Sequence, residues 1–280
     1  MSAVRVEGAN NTRDAFLGSL VSPLLPSPTG STLSTVLTSA RAISDRLLST
    51  DIFTSLSASL EPAQSPTASP YDVDLVLNTK EKGRFFLKSS TEIGNNEGNA
   101  SLTGRIRNAF GGAEVLEGNI SLGTTTRRAF NASLSAPVVI LSPDLRTHAE
   151  LSVFGTQSDL SAWSSCVCAV RGLKAAIRRG HHEIAYEAAF RNIGSLSPAA
   201  SLSIRQLSGP SLKSALSHTY ASSSYLSSLT PTPPAAYIKL THELSGLGGN
   251  ASFFRHQFDG RVEAELGQGF VSIPYYPYSN

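Results

Sequence analysis

The chain has 280 residues, of which 16% are charged and 8% aromatic, and its formal net charge is +2. It has no dense basic run, which disfavours nucleic acid as a partner. The longest apolar run covers residues 136 to 141, whereas a membrane-spanning helix needs about 20 apolar residues. This excludes a helical membrane protein but not a membrane β-barrel, because each strand of such a barrel is only half apolar.

The start of the chain has neither a secretory core nor an Arg-rich amphipathic presequence. We therefore expect synthesis in the cytosol, with any organelle address contained in the fold itself. The two cysteines, Cys166 and Cys168, share a face of a predicted strand but diverge, so we expect no disulfide and no metal site there.

The first 82 residues combine helix and strand signals. A strand at residues 4–8 precedes a helix at 13–20, and a second helix follows the capping pair Ser31-Thr32. The apolar residues of that second helix fall on one stripe. Two strands near 55–60 and 72–78 then flank a proline-rich loop at 62–70. These signals predict a small α+β domain with the order β-α-α-β-β.

From residue 83 onward, apolar and polar residues alternate with a period of two, which is a strand signal. Leu116, Gly118 and Ile120, for example, alternate with Glu117 and Asn119. Short Gly- and Asn-containing joints separate the segments, so we predict an antiparallel meander. It has ten strands and a possible eleventh at 270–273, whereas the tail at 274–280 is not expected to form a strand because two prolines interrupt it.

The strands of a soluble β-sandwich and those of a membrane β-barrel both alternate apolar and polar residues, so the pattern alone leaves both folds open. A long meander of ten or more strands favours the barrel. Arg, Lys and Glu occupy one face of the predicted strands, and Ala, Leu, Ile, Phe and Gly occupy the other.

Two other motifs contain residue types found in binding sites. His181-His182-Glu183 with Glu187 could be a metal site, but the spacing favours a turn and a polar barrel interior. The glycines at 246–249 favour a hairpin over a phosphate loop, because no strand–turn–helix pattern surrounds them. We therefore expect no catalytic residue, no metal and no cofactor, and the protein is not predicted to be an enzyme.

Three segments carry a family resemblance: residues 93–98 (Ile-Gly-Asn-Asn-Glu-Gly), 208–218 and 242–249. They resemble the core barrel subunit of the mitochondrial sorting and assembly machinery, in the superfamily of outer-membrane barrel assemblers that includes BamA. The resemblance implies a POTRA domain at 1–82 and, at 83–280, the N-terminal part of a sixteen-stranded barrel. The chain departs from this family at its end, where the lid loop with its Arg-Gly-Phe motif and the last strand are missing. We therefore expect a truncated product with about 10–11 of the 16 strands.

The resemblance also implies insertion of β-barrel precursor proteins into the mitochondrial outer membrane through a lateral gate. Accessory subunits of the machinery and membrane lipid would be further partners. The first barrel strand would form one side of the gate and bind precursors by backbone pairing, through residues Arg84, Phe85, Phe86, Leu87, Lys88, Ser89, Ser90, Thr91, Glu92, Ile93 and Gly94. The alternatives are that this stretch is only structural, that the protein is a passive channel or structural barrel, or that it is a nonfunctional fragment.

Overall fold

The computed structural model describes residues 3–25, 32–63, 73–94, 97–139, 145–223, 235–267, 270–272 and 275–279. The first part of the chain forms a three-stranded sheet with two helices. Its elements are β1 (Val4–Glu7), α1 (Asp14–Val21), a 3-10 turn (Ser22–Leu24), α2 (Leu33–Ser49), β2 (Phe53–Pro62) and β3 (Val73–Glu81). The strand order is β1-β3-β2, with β1 parallel and β2 antiparallel to β3. The predicted β-α-α-β-β order is confirmed, although most of the predicted loop at 62–70 lies outside the described residues.

The stripe of apolar residues on α2 explains why this part packs as it does. The Thr32 hydroxyl accepts a hydrogen bond from the Thr35 backbone N–H at 3.4 Å and caps the helix start. Ala40, Ile43 and Leu47 of α2 are buried in one cluster with residues of α1 and β3. Burial of this stripe against the sheet holds the helix in place, because an isolated helix of this length is only marginally stable in water.

A long sheet follows. Its strands are β4 (Phe85–Gly94), β5 (Glu97–Arg107), β6 (Val115–Gly123), β7 (Thr126–Pro137), β8 (Thr147–Asp159), β9 (Val167–Arg179), β10 (His182–Gly194), β11 (Gly209–Ser223), β12 (Ala235–Ser245), β13 (Phe253–Gly267), β14 (Phe270–Ser272) and β15 (Tyr275–Ser279). From β4 to β14 each strand pairs with the next in sequence. This confirms the predicted meander, including the strand at 270–273. Two short helices, α3 (Ser161–Ser164) and α4 (Leu202–Gln206), lie in the connections after β8 and β10.

The prediction that the tail at 274–280 forms no strand was wrong. β15 pairs antiparallel with β13, and Pro277 lies opposite Asp259 in that pairing. Proline lacks the N–H that a central strand needs, but an edge strand bonds on one side only and tolerates it.

The chain forms two compact units. The first comprises residues 1–88, 103–117 and 134–148, and the second comprises 89–102, 118–133 and 149–280. Within the described residues, no helix is both long and apolar enough to cross a membrane.

In the second unit, the two faces of strands β9–β13 differ in composition and exposure. One face, called the apolar face below, carries large hydrophobic side chains that remain exposed: Leu173, Ile177, Ile184, Phe190, Leu212, Leu216, Ile238, Leu244 and Phe254. The opposite face, called the polar face, carries buried alanines such as Ala185 and Ala215 together with charged residues. A sandwich would bury its hydrophobic face against a second sheet, so this exposure is the reverse of a soluble β-sandwich.

Candidate functional site

The predicted gate strand, β4, lies at one end of the sheet. In the part of the chain that the structure describes, it pairs with β5 and with no other strand. One edge of β4 therefore presents backbone N–H and C=O groups to whatever lies beside it. Such an edge is a template on which another strand can pair.

Most β4 side chains are highly exposed. The exposed fractions are 77% for Phe85, 72% for Leu87 and 87% for Ile93, whereas apolar-face residues of the central strands such as Leu216 and Leu244 are 44% and 49% exposed. Apolar side chains on strands paired on both sides also reach high values, such as 67% for Phe254 and 59% for Leu122, so the β4 side chains lie at the upper end of a range common to this sheet.

The base of β4 is fixed by Arg84. Its guanidinium donates to the carbonyls of Asn108 and Ala109 at 3.3 and 3.1 Å and to the Asn11 side-chain oxygen at 3.3 Å. Its own carbonyl accepts from the Arg107 backbone N–H at 2.7 Å. The strand therefore starts from a position set by several hydrogen bonds within the first unit.

A second group of contacts, in the same unit, ties the turn between β5 and β6 to the start of α1. Arg13 forms an ion pair with Glu114 at 2.8 Å, and its backbone N–H donates to the Gly111 carbonyl at 2.8 Å. The buried Asn108 side chain donates to the Thr12 hydroxyl at 3.0 Å. Gly111 has φ +85°, and an added Cβ there would lie 2.9 Å from the Arg13 side chain. These contacts could not be predicted from residue spacing, because they join segments that are far apart along the chain.

Asp51 anchors the segment that leads into β4. It accepts a hydrogen bond from the Lys82 ammonium and forms an ion pair with Arg107 at 3.4 Å. The hydrogen bond from Lys82, aided by the positive charge of Arg107, lowers the pKa of Asp51 below its ordinary value. The carboxylate is therefore charged and paired at neutral pH.

Higher on β4, the Ser90 hydroxyl lies 2.7 Å from the Ser101 hydroxyl of β5. The other predicted gate residues lie along the same strand, with Arg84 immediately before it. The structure thus places all eleven in one continuous edge segment. Their role in precursor binding stays a prediction.

The polar face of the second unit carries networks of ion pairs. Glu243, only 5% exposed, lies 2.5 Å from both Lys213 and Arg255. Glu183 pairs with Lys174 at 3.0 Å and Arg178 at 2.6 Å. Charged residues predicted for the barrel interior therefore share one face, where Glu183, Glu187 and Glu243 each meet a basic neighbour.

The three residues of the predicted motif at 181–183 lie in different places: one in a turn, and one on each face of the sheet. His181 lies in the turn before β10, and Glu183 is engaged by Lys174 and Arg178 on the polar face. His182 lies on the apolar face beside His218, which no sequence motif groups with it. The turn-and-interior interpretation agrees with the placement of His181 and Glu183 but not with that of His182.

The chain is similar in sequence to known proteins over most of its length. A SAM50-like protein of Schizosaccharomyces pombe is 29% identical over 277 residues, which cover 95% of this chain and 58% of that protein. The sorting and assembly machinery component 50 homolog of Xenopus tropicalis is 27% identical over 268 residues, which cover 94% of this chain and 55% of that protein. The chain is a homologue of these component 50 proteins. This confirms the family resemblance, and the chain spans little more than half the length of these relatives.

Solved structures show the same fold. BamA from Haemophilus ducreyi, lacking POTRA domains 1–3, superposes with a TM-score of 0.70 at 16% identity, over 100% of this chain and 55% of that one. CdiB from Acinetobacter baumannii gives a TM-score of 0.51 at 11% identity, over 99% of this chain and 52% of that one. No protein-family profile matches the chain.

Proposed function

We propose that the chain acts in the mitochondrial outer membrane in the insertion of β-barrel precursor proteins. Homology to component 50 of the sorting and assembly machinery and the BamA-like fold support this proposal. The observation that carries it is the exposed edge of β4, whose start is fixed by the hydrogen bonds of Arg84. A fixed edge with open backbone groups is what a strand-templating site requires.

The mechanism is β-augmentation. An incoming precursor strand pairs with the edge of β4, so its backbone groups enter the membrane already hydrogen-bonded, since hydrocarbon offers them no other partner. In a ten-residue antiparallel strand, about five residues direct their N–H and C=O groups to each side. Each bond contributes about 0.5–1.5 kcal/mol net, so the pairing is strong in sum yet reversible bond by bond. No side chain is a catalyst in this scheme.

The two faces of the sheet give the rest of the scheme. The apolar face contacts lipid acyl chains, and the polar face lines the interior of the barrel. The α/β part at residues 1–82 acts as a POTRA domain and supplies a surface for precursors. Accessory subunits of the machinery complete the set of partners.

Cysteine crosslinking along β4 tests the proposal. Lys88→Cys and Glu92→Cys are placed on β4 in a chain whose Cys166 and Cys168 are replaced by serine. The full chain is reconstituted in lipid vesicles and mixed with a precursor that carries one cysteine in its C-terminal strand. Mild oxidation is expected to give a mixed disulfide with both β4 positions.

Ser217→Cys is the matched control, because β11 is paired on both sides by β10 and β12. It is expected to give no crosslink. Capture at Ser217 as strong as that at β4, or no capture at β4, would refute the gate assignment.

The polar face also supports a second candidate, a passive channel. Paired charges such as Glu183 with Arg178 are typical of a water-filled barrel interior. Planar-bilayer recordings separate the two functions: a channel conducts steadily and its depletion leaves precursor assembly unchanged, whereas loss of an insertase causes unassembled precursors to accumulate.

A further inference from the structure

Strands β6 to β9 form a groove of about 350 Å³ in the second unit. Three exposed apolar side chains, Ile120, Leu122 and Phe130, line it. Gly155 also lines it, and a Cβ added there would lie only 2.3 Å from the Phe130 ring. The ring can occupy this position because residue 155 has no side chain, so Gly155 and Phe130 together shape the groove.

The groove belongs to the apolar face. Arg171, which also lines the groove, lies opposite Phe190 in the pairing of β9 with β10 and two residues before Leu173. Alternate residues of a strand share a face, so Arg171 lies on the same face as these two apolar residues. In the proposed function this face contacts lipid, and the inference rests on that part of the proposed function.

The groove also contains three long polar side chains, Arg128, Gln157 and Arg171. The Arg128 Nε donates to the Gln157 Oε1 at 2.6 Å, which orients the guanidinium and leaves its terminal N–H groups to face another acceptor. Within the described residues, no carboxylate pairs with Arg128 or Arg171. Asp159, two residues beyond Gln157, is bonded to Arg127 at 2.6 Å instead. The groove therefore carries two positive charges that lack an acidic partner in the described part of the chain.

These polar side chains lie near one end of the sheet. Arg128 is the third residue of β7, Gln157 is the third from the end of β8, and Arg171 is the fifth residue of β9. At about 3.3 Å per residue and a tilt of about 40°, the 13 residues of β8 rise about 33 Å, whereas the apolar band of such barrels is about 25 Å tall. Arg128 and Gln157 therefore lie at the edge of that band, where lipid headgroups lie, and the long side chain of Arg171 reaches the same level.

We propose that the groove binds one anionic phospholipid. The phosphate of its headgroup accepts hydrogen bonds from Arg128, Arg171 and the Gln157 amide, and one acyl chain lies along Phe130 and Ile120. Guanidinium groups suit phosphate because their N–H groups form a fork that matches two phosphate oxygens.

The order of residues along the strands agrees with this orientation of the lipid. Phe130 lies two residues further from the end of the sheet than Arg128, and Ile120 lies two residues further than Leu122. The apolar part of the groove therefore extends from the headgroup level toward the middle of the membrane, as an acyl chain does.

The charge of the site indicates which headgroup it prefers. A charged side chain on a lipid-facing surface is costly unless it reaches the interface or meets an opposite charge. Every phospholipid supplies a phosphate, but the positive group of a zwitterionic headgroup offsets part of the attraction. We therefore expect a headgroup with a net negative charge to bind more tightly.

The test is native mass spectrometry of the full chain in a neutral detergent, with phosphatidylglycerol or phosphatidylcholine added separately. One phosphatidylglycerol per chain is expected, bound about 30-fold more tightly than phosphatidylcholine, because each of the two arginines near an anionic surface contributes about fivefold. Arg128→Gln and Arg171→Gln should each lower this preference to about fivefold, and the double variant should abolish it.

Arg191→Gln is the matched control. It removes the same charge, but Arg191 is adjacent in sequence to Phe190 and so lies on the opposite face, where it donates to the Ser211 hydroxyl at 3.2 Å. It should leave the preference unchanged. Equal binding of the two lipids by the wild-type chain, or an equal loss of preference in Arg191→Gln, would overturn the proposal.

Two further outcomes of the same experiment would name another occupant and so overturn the lipid assignment. Displacement of phosphatidylglycerol by inorganic phosphate would show a site for the anion alone. A dimer that the double variant abolishes would place a second copy of the chain in the groove.

A second measurement needs no variant and so does not depend on mutant folding. The wild-type chain is reconstituted in vesicles with a phosphatidylglycerol that carries a photoactivatable diazirine on one acyl chain. Crosslinks mapped by mass spectrometry should concentrate around Ile120 and Phe130, whereas crosslinks of the matching phosphatidylcholine should spread over the apolar face. The same spread for both lipids would contradict a specific site while leaving the membrane position intact, whereas no crosslink to either lipid would contradict the proposed function itself.

Discussion

Glu243 offers a direct test of the polar face. Its carboxylate is 5% exposed and lies 2.5 Å from both Lys213 and Arg255. Glu243→Gln keeps the shape of the side chain but removes the charge that both cations contact. Lys213 retains Glu187 at 3.3 Å, so most of the loss falls on the Arg255 contact.

Removing one partner of a fully buried ion pair costs about 3–5 kcal/mol, and an exposed pair is worth about 0–1 kcal/mol. Arg255 is 48% and Lys213 32% exposed, so solvent screens part of the interaction. We therefore expect Glu243→Gln to lower the free energy of unfolding by about 2–3 kcal/mol.

The assay is urea unfolding of the full chain in lipid vesicles, followed by far-UV circular dichroism. Glu187→Gln is the matched control, because Glu187 lies on the same face but is 35% exposed and 3.3 Å from Lys213. It should lose less than about 1 kcal/mol. Equal losses in the free energy of unfolding of the two variants, or a higher value for Glu243→Gln, would refute the view that the Glu243 ion pairs are buried on the polar face.

Two further predictions concern β9 and the segment before β4. Gly172→Ala should destabilise the chain by about 1–3 kcal/mol in the same assay, because its Cβ would lie 2.6 Å from the fixed Ala188 carbonyl, whereas Gly118→Ala, with open space, should cost nothing. The lowered pKa of Asp51 means that its bond to Lys82 stabilises the fold above the ordinary value of about 3.9 and is lost as the pH falls through the folded-state value. Asp51→Asn should therefore be less stable than wild type at pH 6, and the difference should shrink as the pH falls below the ordinary value; a difference that stays constant as the pH is lowered would contradict this assignment.

The strand pattern of the sheet could be predicted from the sequence because the two faces of each strand meet different surroundings. A period of two then appears directly, as in Leu212 and Leu216 against Lys213 and Ser217. The edge position of β4 also follows, since the first strand of a meander has only one sequential neighbour. The alternation of apolar and polar residues does not indicate what lies beside the other edge of β4.

Contacts that depend on register could not be predicted. His218, His242 and His256 are far apart in sequence and become neighbours only once the strand pairings of β11, β12 and β13 are fixed. A one-residue slip of any strand would move its histidine to the opposite face. The same holds for Asn108 and Thr12, which meet through the fold rather than through a sequence motif.

The tail shows where a local rule gave the wrong result. Pro277 argued against a strand because proline lacks a backbone donor, but β15 bonds to β13 along one side only. The rule applies to strands paired on both sides, and the sequence does not reveal which strands those are.

The proposed function requires that the apolar face of the sheet contacts lipid while the polar face contacts water. Spin labels at Leu216→Cys and Ser217→Cys test it, because these adjacent residues of β11 point to opposite faces. In vesicles, oxygen, which concentrates in lipid, should enhance the spin relaxation of the label at 216. Water-soluble chromium oxalate should instead enhance the spin relaxation of the label at 217. Equal response of both labels to chromium oxalate would contradict the account.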